Sequence, residues 1–232
     1  YIRYMASFRY PLSGEFTVQR DLAARMRLPS DWGLEVVTLF EARGSDAQAV
    51  IEAADGLRAD AMGETVTYVV NRNINYTNIC THACSFCAFS KTSIKAGFRD
   101  KPYNLDLDEI AGRAIEAVER GATEVCLQGG IHPSYTGDTY ISILRAVKDA
   151  CPDLHVHAFS PLEVSQGART LGMTTRDYLA RLKDHGLGSL PGTAAEILHD
   201  DIRAQICPDK LTTREWLDVV RDAHLVGLPT TS

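Results

Sequence analysis

Two hydrophobic patterns alternate along most of the chain. Apolar residues that recur every three to four positions predict amphipathic helices, and short β-branched or continuous apolar runs predict buried strands. The predicted helices span residues 47–62, 105–120, 139–150, 175–185 and 213–226, and the predicted strands span residues 65–75, 123–130, 154–159 and 187–190. A further strand begins at residue 227, and a loop is expected over residues 160–167. Strands that alternate with helices of this length form right-handed βαβ units, so the pattern predicts an α/β fold with a parallel sheet.

Repeated units of this kind close into a TIM-type barrel, in which the chemistry sits on the loops that follow the strands. The chain contains about five of the usual eight units, which predicts a partial barrel whose C-terminal units are missing after Ser232. Three segments with candidate functional residues fall at predicted strand ends, namely residues 80–87, 128–130 and 157–163. We therefore expect these segments to lie at one end of the barrel.

Residues 1–40 differ from the regular pattern that follows them. Residues 11–15 and 30–35 resemble part of a glycosyltransferase of the glucosyl-3-phosphoglycerate synthase type, but no strand that ends in a paired-aspartate metal site accompanies them. We expect no working glycosyltransferase, and we divide the chain into an N-terminal extension, residues 1–40, and a barrel domain, residues 41–232. The extension is either a foreign leader, from a gene fusion or a faulty gene model, or an unusual native segment.

Composition and charge limit the classes of partner. The chain has 232 residues and a net charge of −6 at pH 7, which disfavours nucleic acid and anionic membranes as partners. We expect no signal peptide and no membrane span, because no apolar run approaches the ~20 residues that a span needs. A reducing cytoplasm is the predicted location.

Three cysteines lie close together directly after the first predicted strand. Cys80, Cys84 and Cys87 have the spacing C-x3-C-x2-C. A short loop with these gaps can wrap three thiolates around three corners of a cubane iron–sulfur cluster, which leaves one iron open to a ligand. With Phe86 before the last cysteine, the loop resembles that of the radical S-adenosylmethionine (SAM) enzymes. This resemblance implies two cofactors, a 4Fe–4S cluster and SAM.

A structural zinc site is the alternative use of the same cysteines. Zinc needs four ligands, so His82 or His132 would have to supply the fourth. Disulfides are disfavoured, because nothing in the sequence indicates secretion. The remaining cysteines are expected to be core residues or exposed thiols, namely Cys126, Cys151 and Cys207.

Other segments carry candidate binding residues. Residues 128–130, Gln-Gly-Gly, either let a ligand approach the backbone or simply end a strand. His155 and His157 point to one face of a strand, where they position a substrate, carry a proton or form core hydrogen bonds. Glu163 either binds a polar substrate or is an exposed carboxylate at a helix start. Residues 191–196 form either a substrate loop or a turn.

From about residue 41 onward, the sequence resembles the tyrosine-using half of deazaflavin (FO) synthase, the 5-amino-6-(D-ribitylamino)uracil–L-tyrosine 4-hydroxyphenyl transferase. The matching segments are residues 68–80, 84–89, 121–133, 155–164 and 190–197. The resemblance implies a cluster bound by the three cysteines, with Phe86 near the adenine of SAM. It also implies that the methionine part of SAM lies near Gln128, Gly129 and Gly130.

The resemblance implies a radical transferase of deazaflavin cofactor biosynthesis. A 5′-deoxyadenosyl radical would abstract hydrogen from L-tyrosine, and the hydroxybenzyl fragment would join 5-amino-6-(D-ribitylamino)uracil. An electron donor and a ring-closing FO synthase partner are implied as well, while the catalytic residues beyond the cluster ligands stay unknown. The alternatives are a radical SAM enzyme of futalosine-dependent menaquinone synthesis and an inactive barrel fragment, because the family's chain continues past the strand begun at Leu228.

Overall fold

The computed structural model describes residues 44–66, 68–90, 101–193 and 195–231. The predicted extension, residues 1–40, lies outside these ranges, so the division of the chain near residue 40 stays a prediction. The chain falls into two compact units, with their boundary between Tyr68 and Val69. In the described part of the chain, every helix is too short or too polar to span a lipid bilayer.

The described residues of the first unit form helix α1 (Ser45–Met62). The second unit alternates strands and helices, as the hydrophobic pattern predicts. In chain order its elements are β1 (Asn71–Thr77), α2 (Leu107–Glu119), β2 (Glu124–Gly129), α3 (Gly137–Ala150), β3 (His155–Ala158), α4 (Pro161–Thr170), α5 (Thr175–Asp184), α6 (Asp200–Ile206) and α7 (Thr213–Leu225).

The strands form a parallel sheet in the order β1–β2–β3. Two extended segments continue this order as parallel bridges, one from His157 to Ser189 and one from Leu190 to Thr230. The N–H of Thr231 donates to the carbonyl of Leu190 at 3.0 Å. Within the described residues the sheet therefore has five neighbouring parallel positions, which confirms the predicted α/β architecture.

The two faces of the sheet differ in polarity, because successive strand residues point to opposite faces. One face is buried in the core with the apolar sides of the helices, and it carries Ile74, Tyr76, Val125, Leu127, Val156 and Ala158. The other face, which we call the polar face, carries Asn73, Asn75, Glu124, Cys126, Gln128, His155 and His157 in matching register. These polar-face residues are half-buried or exposed.

Helix α4 replaces the loop that the sequence analysis expected over residues 160–167. Ser160 and Glu163 form a capping box, in which each side chain accepts a hydrogen bond from the backbone of the other residue. Pro161 occupies the first turn, where its missing N–H costs no helical hydrogen bond. The loop prediction was wrong, because the capping box and Pro161 start a helix at this point.

Strand β1 begins later than the predicted strand over residues 65–75. It spans Asn71–Thr77, and the apolar residues just before it are exposed. The partner of Asn71 is Glu124, the first residue of β2, so residues before Asn71 extend past the start of the neighbouring strand. A β-branched run has strand propensity, but pairing and burial decide whether it forms a strand.

The core assignment can be tested with a matched pair of leucines. Leu144 on α3 is fully buried, whereas Leu225 at the end of α7 is 60% exposed. Leu144→Ala is expected to lower the free energy of unfolding by about 2–5 kcal/mol, because it leaves a cavity in the core. Leu225→Ala is expected to change it by about 0.5 kcal/mol or less. Urea unfolding followed by circular dichroism measures both, and equal losses would contradict this core.

Candidate functional site

The cysteine loop, residues 80–87, follows the C-terminal end of β1. Cys84 is buried, and Cys80 and Cys87 are half-buried. The Sγ atom of Cys80 accepts a hydrogen bond from the N–H of Ile131 at 3.3 Å, and that of Cys87 accepts one from the N–H of Ser90 at 3.4 Å. Hydrogen bonds to sulfur are one means by which proteins tune iron–sulfur clusters.

The three thiols are close enough to affect one another's pKa values, but the described side chains are not arranged around one metal ion. Burial raises the pKa of the Cys84 thiol, and the neighbouring thiols of Cys207, Cys87 and Cys80 raise it further. Within the described residues, no group of three histidine, cysteine, aspartate or glutamate side chains is placed to hold one metal ion. The donor set of three soft sulfur atoms on one short loop nevertheless fits an iron–sulfur cluster.

The surroundings of Cys87 favour the thiolate form of its side chain. Burial alone would raise the pKa of its thiol, but hydrogen bonds from Ser90 and from the backbone of Phe89 outweigh burial. The pKa of Cys87 is therefore lowered. The thiolate is the form of cysteine that ligates metals, so this environment suits a ligand.

The two histidines that could serve as zinc ligands contact neighbouring hydroxyl groups instead. His132 Nδ1 is 2.8 Å from the hydroxyl of Ser134, and His82 Nδ1 is 3.2 Å from the hydroxyl of Thr81. In the part of the chain that the structure describes, neither histidine joins the cysteines as a ready ligand. The structure therefore gives the zinc alternative no added support.

The two glycines at the end of β2 pack against β1 and the start of the cysteine loop. A Cβ atom at Gly130 would lie 2.3 Å from the carbonyl oxygen of Ile79 and 2.8 Å from the Cβ of Cys80. One at Gly129 would lie 2.3 Å from the ring of Tyr76. Glycine is thus required here for the close approach of two chain segments, and an additional role beside SAM stays a prediction.

Gln128 and Phe86 lie in partly open positions. The amide Nε2 of Gln128 donates to the hydroxyl of Thr193 at 3.1 Å, at the edge of the polar face. The side chain of Phe86 is 48% exposed, so part of its ring is accessible to a ligand. The predicted contacts of both residues with SAM stay predictions.

Glu163 is a buried carboxylate that joins chain segments. It is 1% exposed, and its Oε1 accepts hydrogen bonds from the N–H of Gly129 at 3.1 Å and from the hydroxyl of Tyr76. Its Oε2 accepts from the N–H of Ser160 at 2.7 Å. Burial raises the pKa of Glu163, and these hydrogen bonds oppose that rise. The expectation of an exposed carboxylate was wrong, because both oxygens bond to the protein in the interior. The predicted contact of Glu163 with a substrate stays a prediction.

His157 lies on the polar face beside Ser189. Its Nδ1 is 2.6 Å from the Ser189 hydroxyl, which is also 2.8 Å from Nε2 of His155. The two histidines therefore share one face, as predicted, and one hydroxyl links them. Burial lowers the pKa of His157, the neighbouring His155 lowers it further, and Glu124 opposes the shift. This environment therefore favours the neutral imidazole.

Residues 195–211, which we call the support segment, contact the cysteine loop from a distant part of the sequence. The N–H of Ser85 donates to the carbonyl of Ile206 at 2.8 Å. The ammonium of Lys210 lies 5.3 Å from the centroid of the Phe86 ring. Sequence analysis missed these contacts with the cysteine loop, because no local pattern signals a contact between residues more than a hundred positions apart.

Sequence comparisons place this site among known proteins. The profile of the radical SAM superfamily matches residues 74–232. The chain is 55% identical over 179 residues to the 5-amino-6-(D-ribitylamino)uracil–L-tyrosine 4-hydroxyphenyl transferase of Archaeoglobus fulgidus, covering 77% of this chain and 50% of that protein. It is 51% identical over 207 residues to the transferase of the same name from Methanocaldococcus jannaschii, covering 85% and 55%.

A longer relative is the FO synthase of Streptomyces coelicolor, which is 46% identical over 198 residues, covering 85% of this chain and 22% of that protein. The chain thus spans about half the length of the transferases that it matches.

Two solved structures share the fold. Methylornithine synthase has a TM-score of 0.55 at 16% identity, covering 92% of this chain and 57% of that one. HydG, a maturase of the FeFe hydrogenase, has a TM-score of 0.57 at 15% identity, covering 83% and 40%. At such identities the likeness concerns the fold alone, and it confirms the predicted barrel of βα units.

The close packing at Gly130 predicts a position-specific effect of alanine. Gly130→Ala is expected to lower the free energy of unfolding by about 1–3 kcal/mol, because its Cβ would overlap the backbone of Ile79. Gly112→Ala on α2 is the matched control, since a Cβ there meets nothing within 4 Å. It is expected to be neutral or to stabilise by up to about 1 kcal/mol. Denaturant unfolding measures both, and equal effects would contradict the packing.

The environment of His157 predicts that the stability of the protein depends on pH. Because its folded-state pKa is lowered below about 6.5, acid protonates the imidazole in the unfolded chain first. Its contribution to stability is therefore present above that unfolded value and is lost as the pH falls through the folded pKa. In an NMR titration the ring should titrate below about pH 6.5, with His157→Gln identifying the signal. A midpoint at or above that of a free imidazole would refute the assignment.

Proposed function

The chain belongs to the radical SAM superfamily, and we propose that it is a transferase of deazaflavin cofactor biosynthesis. It would join the 4-hydroxybenzyl group of L-tyrosine to 5-amino-6-(D-ribitylamino)uracil. The observation that carries this proposal is an identity of about one half, over most of the chain, to transferases whose name states those two substrates. The relatives extend beyond the matched region, so the activity is proposed from the part that is shared.

We propose that Cys80, Cys84 and Cys87 hold a 4Fe–4S cluster. Their spacing, the lowered thiol pKa of Cys87 and the N–H groups that point at two of the sulfurs support this role. When bound, the cluster and SAM supply a 5′-deoxyadenosyl radical that abstracts hydrogen. Phe86 would contact the adenine, and residues 128–130 would lie along the methionine part of SAM.

The polar face is the proposed binding surface for the two substrates. It adjoins the cysteine loop through the end of β1, and it offers amide and imidazole groups where the opposite face offers apolar ones. Amides and imidazoles can pair with the hydroxyl groups of a ribityl chain, the polar edge of a uracil or the phenol of tyrosine. The Nδ1 of His157 contacts the Ser189 hydroxyl, and its Nε2 lies 3.4 Å from the hydroxyl of Thr231. From this position the Nε2 atom would orient a substrate hydroxyl or move a proton.

Other members of the proposed reaction lie outside this chain. An electron donor would have to supply one electron per turnover, and a second enzyme would close the deazaflavin ring. A reducing cytoplasm would preserve an oxygen-sensitive cluster. A radical SAM role in futalosine-dependent menaquinone synthesis is less well supported, because the relatives reported above are named as the transferase or as FO synthase.

Cluster binding is the first test of the proposal. The chain, purified and reconstituted with iron and sulfide without oxygen, is expected to bind about four irons and to absorb visible light as a cluster. Cys84→Ala should abolish this binding, because it removes one of the three ligands. Cys151→Ala, which changes another buried cysteine at the end of α3, should retain it. Iron analysis and absorption spectra measure the outcome.

The same preparation tests radical SAM chemistry and the substrate assignment independently. With SAM, a reductant, L-tyrosine and the aminouracil, mass spectrometry should detect 5′-deoxyadenosine and the coupled product. Zinc in place of iron would overturn the proposed function in favour of a structural metal site. A cluster that forms 5′-deoxyadenosine without consuming tyrosine would overturn only the substrate assignment.

A further inference from the structure

Lys210 is a largely buried cation beside the cysteine loop. Its side chain is 12% exposed, and its Nζ lies 2.7 Å from Oε1 of Glu196. The same atom lies 5.3 Å from the centroid of the Phe86 ring, within the range of an attractive cation–π contact. One ammonium group thus links the support segment to the residue that precedes the last cysteine.

The partner of Lys210 is held in an unusual backbone conformation. Glu196 has a φ of 45°, and among the described residues it is the one non-glycine residue in the left-handed region. Such conformations are unfavourable for residues with a Cβ atom, and they persist where the surrounding structure fixes them. They often mark positions at which side-chain direction matters for function.

Arg203 fixes this conformation from within the core. It is 3% exposed, and its guanidinium donates to the carbonyls of Ala195 at 2.6 Å and Ile197 at 3.0 Å, the two neighbours of Glu196. It also donates to the carbonyl of Leu211, the neighbour of Lys210, at 2.6 Å. One buried arginine therefore holds the backbone on both sides of the Glu196–Lys210 ion pair.

The ammonium of Lys210 lies beside the cysteine loop. The Phe86 ring that it contacts directly precedes Cys87 in the sequence. The preceding residue, Ser85, follows Cys84 and donates its N–H to the carbonyl of Ile206 in the support segment at 2.8 Å. The support segment therefore holds the part of the loop between Cys84 and Cys87, and it brings one positive charge to that part.

We propose that Lys210 is a positioning residue for the cluster loop, which holds the Phe86 ring and places a fixed positive charge beside the cluster thiolates. This inference rests on the proposed function. Three thiolates bring excess negative charge to the site, and reduction of a cluster adds one more electron. A nearby fixed cation stabilises the reduced form more than the oxidised form, so it raises the reduction potential.

The reduction potential of the reconstituted cluster tests this role directly. Lys210→Met keeps the length of the side chain and removes its charge, and it is expected to make reduction about tenfold less favourable. For a one-electron couple this is a potential about 59 mV lower. Lys210→Arg keeps the charge and should stay within about threefold of the unchanged chain. Lys183→Met is the control for loss of a lysine elsewhere, since Lys183 bonds to the carbonyl of Val226. Redox titrations followed by electron paramagnetic resonance measure all four proteins.

Each possible result either supports or contradicts the proposed role of Lys210. An unchanged potential in Lys210→Met, or equal shifts in the Met and Arg variants, would show a merely structural contact and overturn it. If the Met variant takes up no iron while the Arg variant does, the charge is required for assembly and the inference stands; if neither does, it fails. An unchanged chain that binds no cluster overturns the proposed function, and the inference with it.

Discussion

The carboxylate of Glu163 joins three chain segments, and the position of the candidate site depends on how these segments meet. It accepts hydrogen bonds from Tyr76 at the end of β1, Gly129 at the end of β2 and Ser160 at the start of α4. A buried carboxylate without such donors is strongly unfavourable, so the three segments are held in one arrangement. The cysteine loop begins four residues after Tyr76, and its position therefore depends on this buried contact.

The two faces of the sheet differ in what they present to their surroundings. Its apolar face forms the core with the helices, while the polar face carries amides, imidazoles and a carboxylate in matching rows. Alternate residues of each strand form the two faces, so the stability of the core does not compete with the polarity of the polar face. Parallel strands also direct their following loops to one edge, which places the cysteines beside that polar surface.

The cysteine loop is supported from two sides that differ in chemistry. On one side, Gly130 allows the backbone of β2 to lie against Ile79 and Cys80. On the other side, the support segment contributes a backbone hydrogen bond at Ser85 and the ammonium of Lys210. The first contact fixes position through close packing, and the second adds charge. If the loop holds three thiolates as proposed, both contacts matter, because position alone does not offset thiolate repulsion.

The sequence by itself determined the features that depend on spacing and periodicity. These are the three-cysteine loop, the alternating strands and helices and the shared face of His155 and His157. The start of α4 is encoded locally by its capping box as well, although the hydrophobic pattern alone predicted a loop there. Only the tertiary structure decided that Glu163 is buried, that Gly130 serves chain packing and that Lys210 contacts the loop. Each of these depends on residues far apart in sequence, which meet only when the βα units pack together.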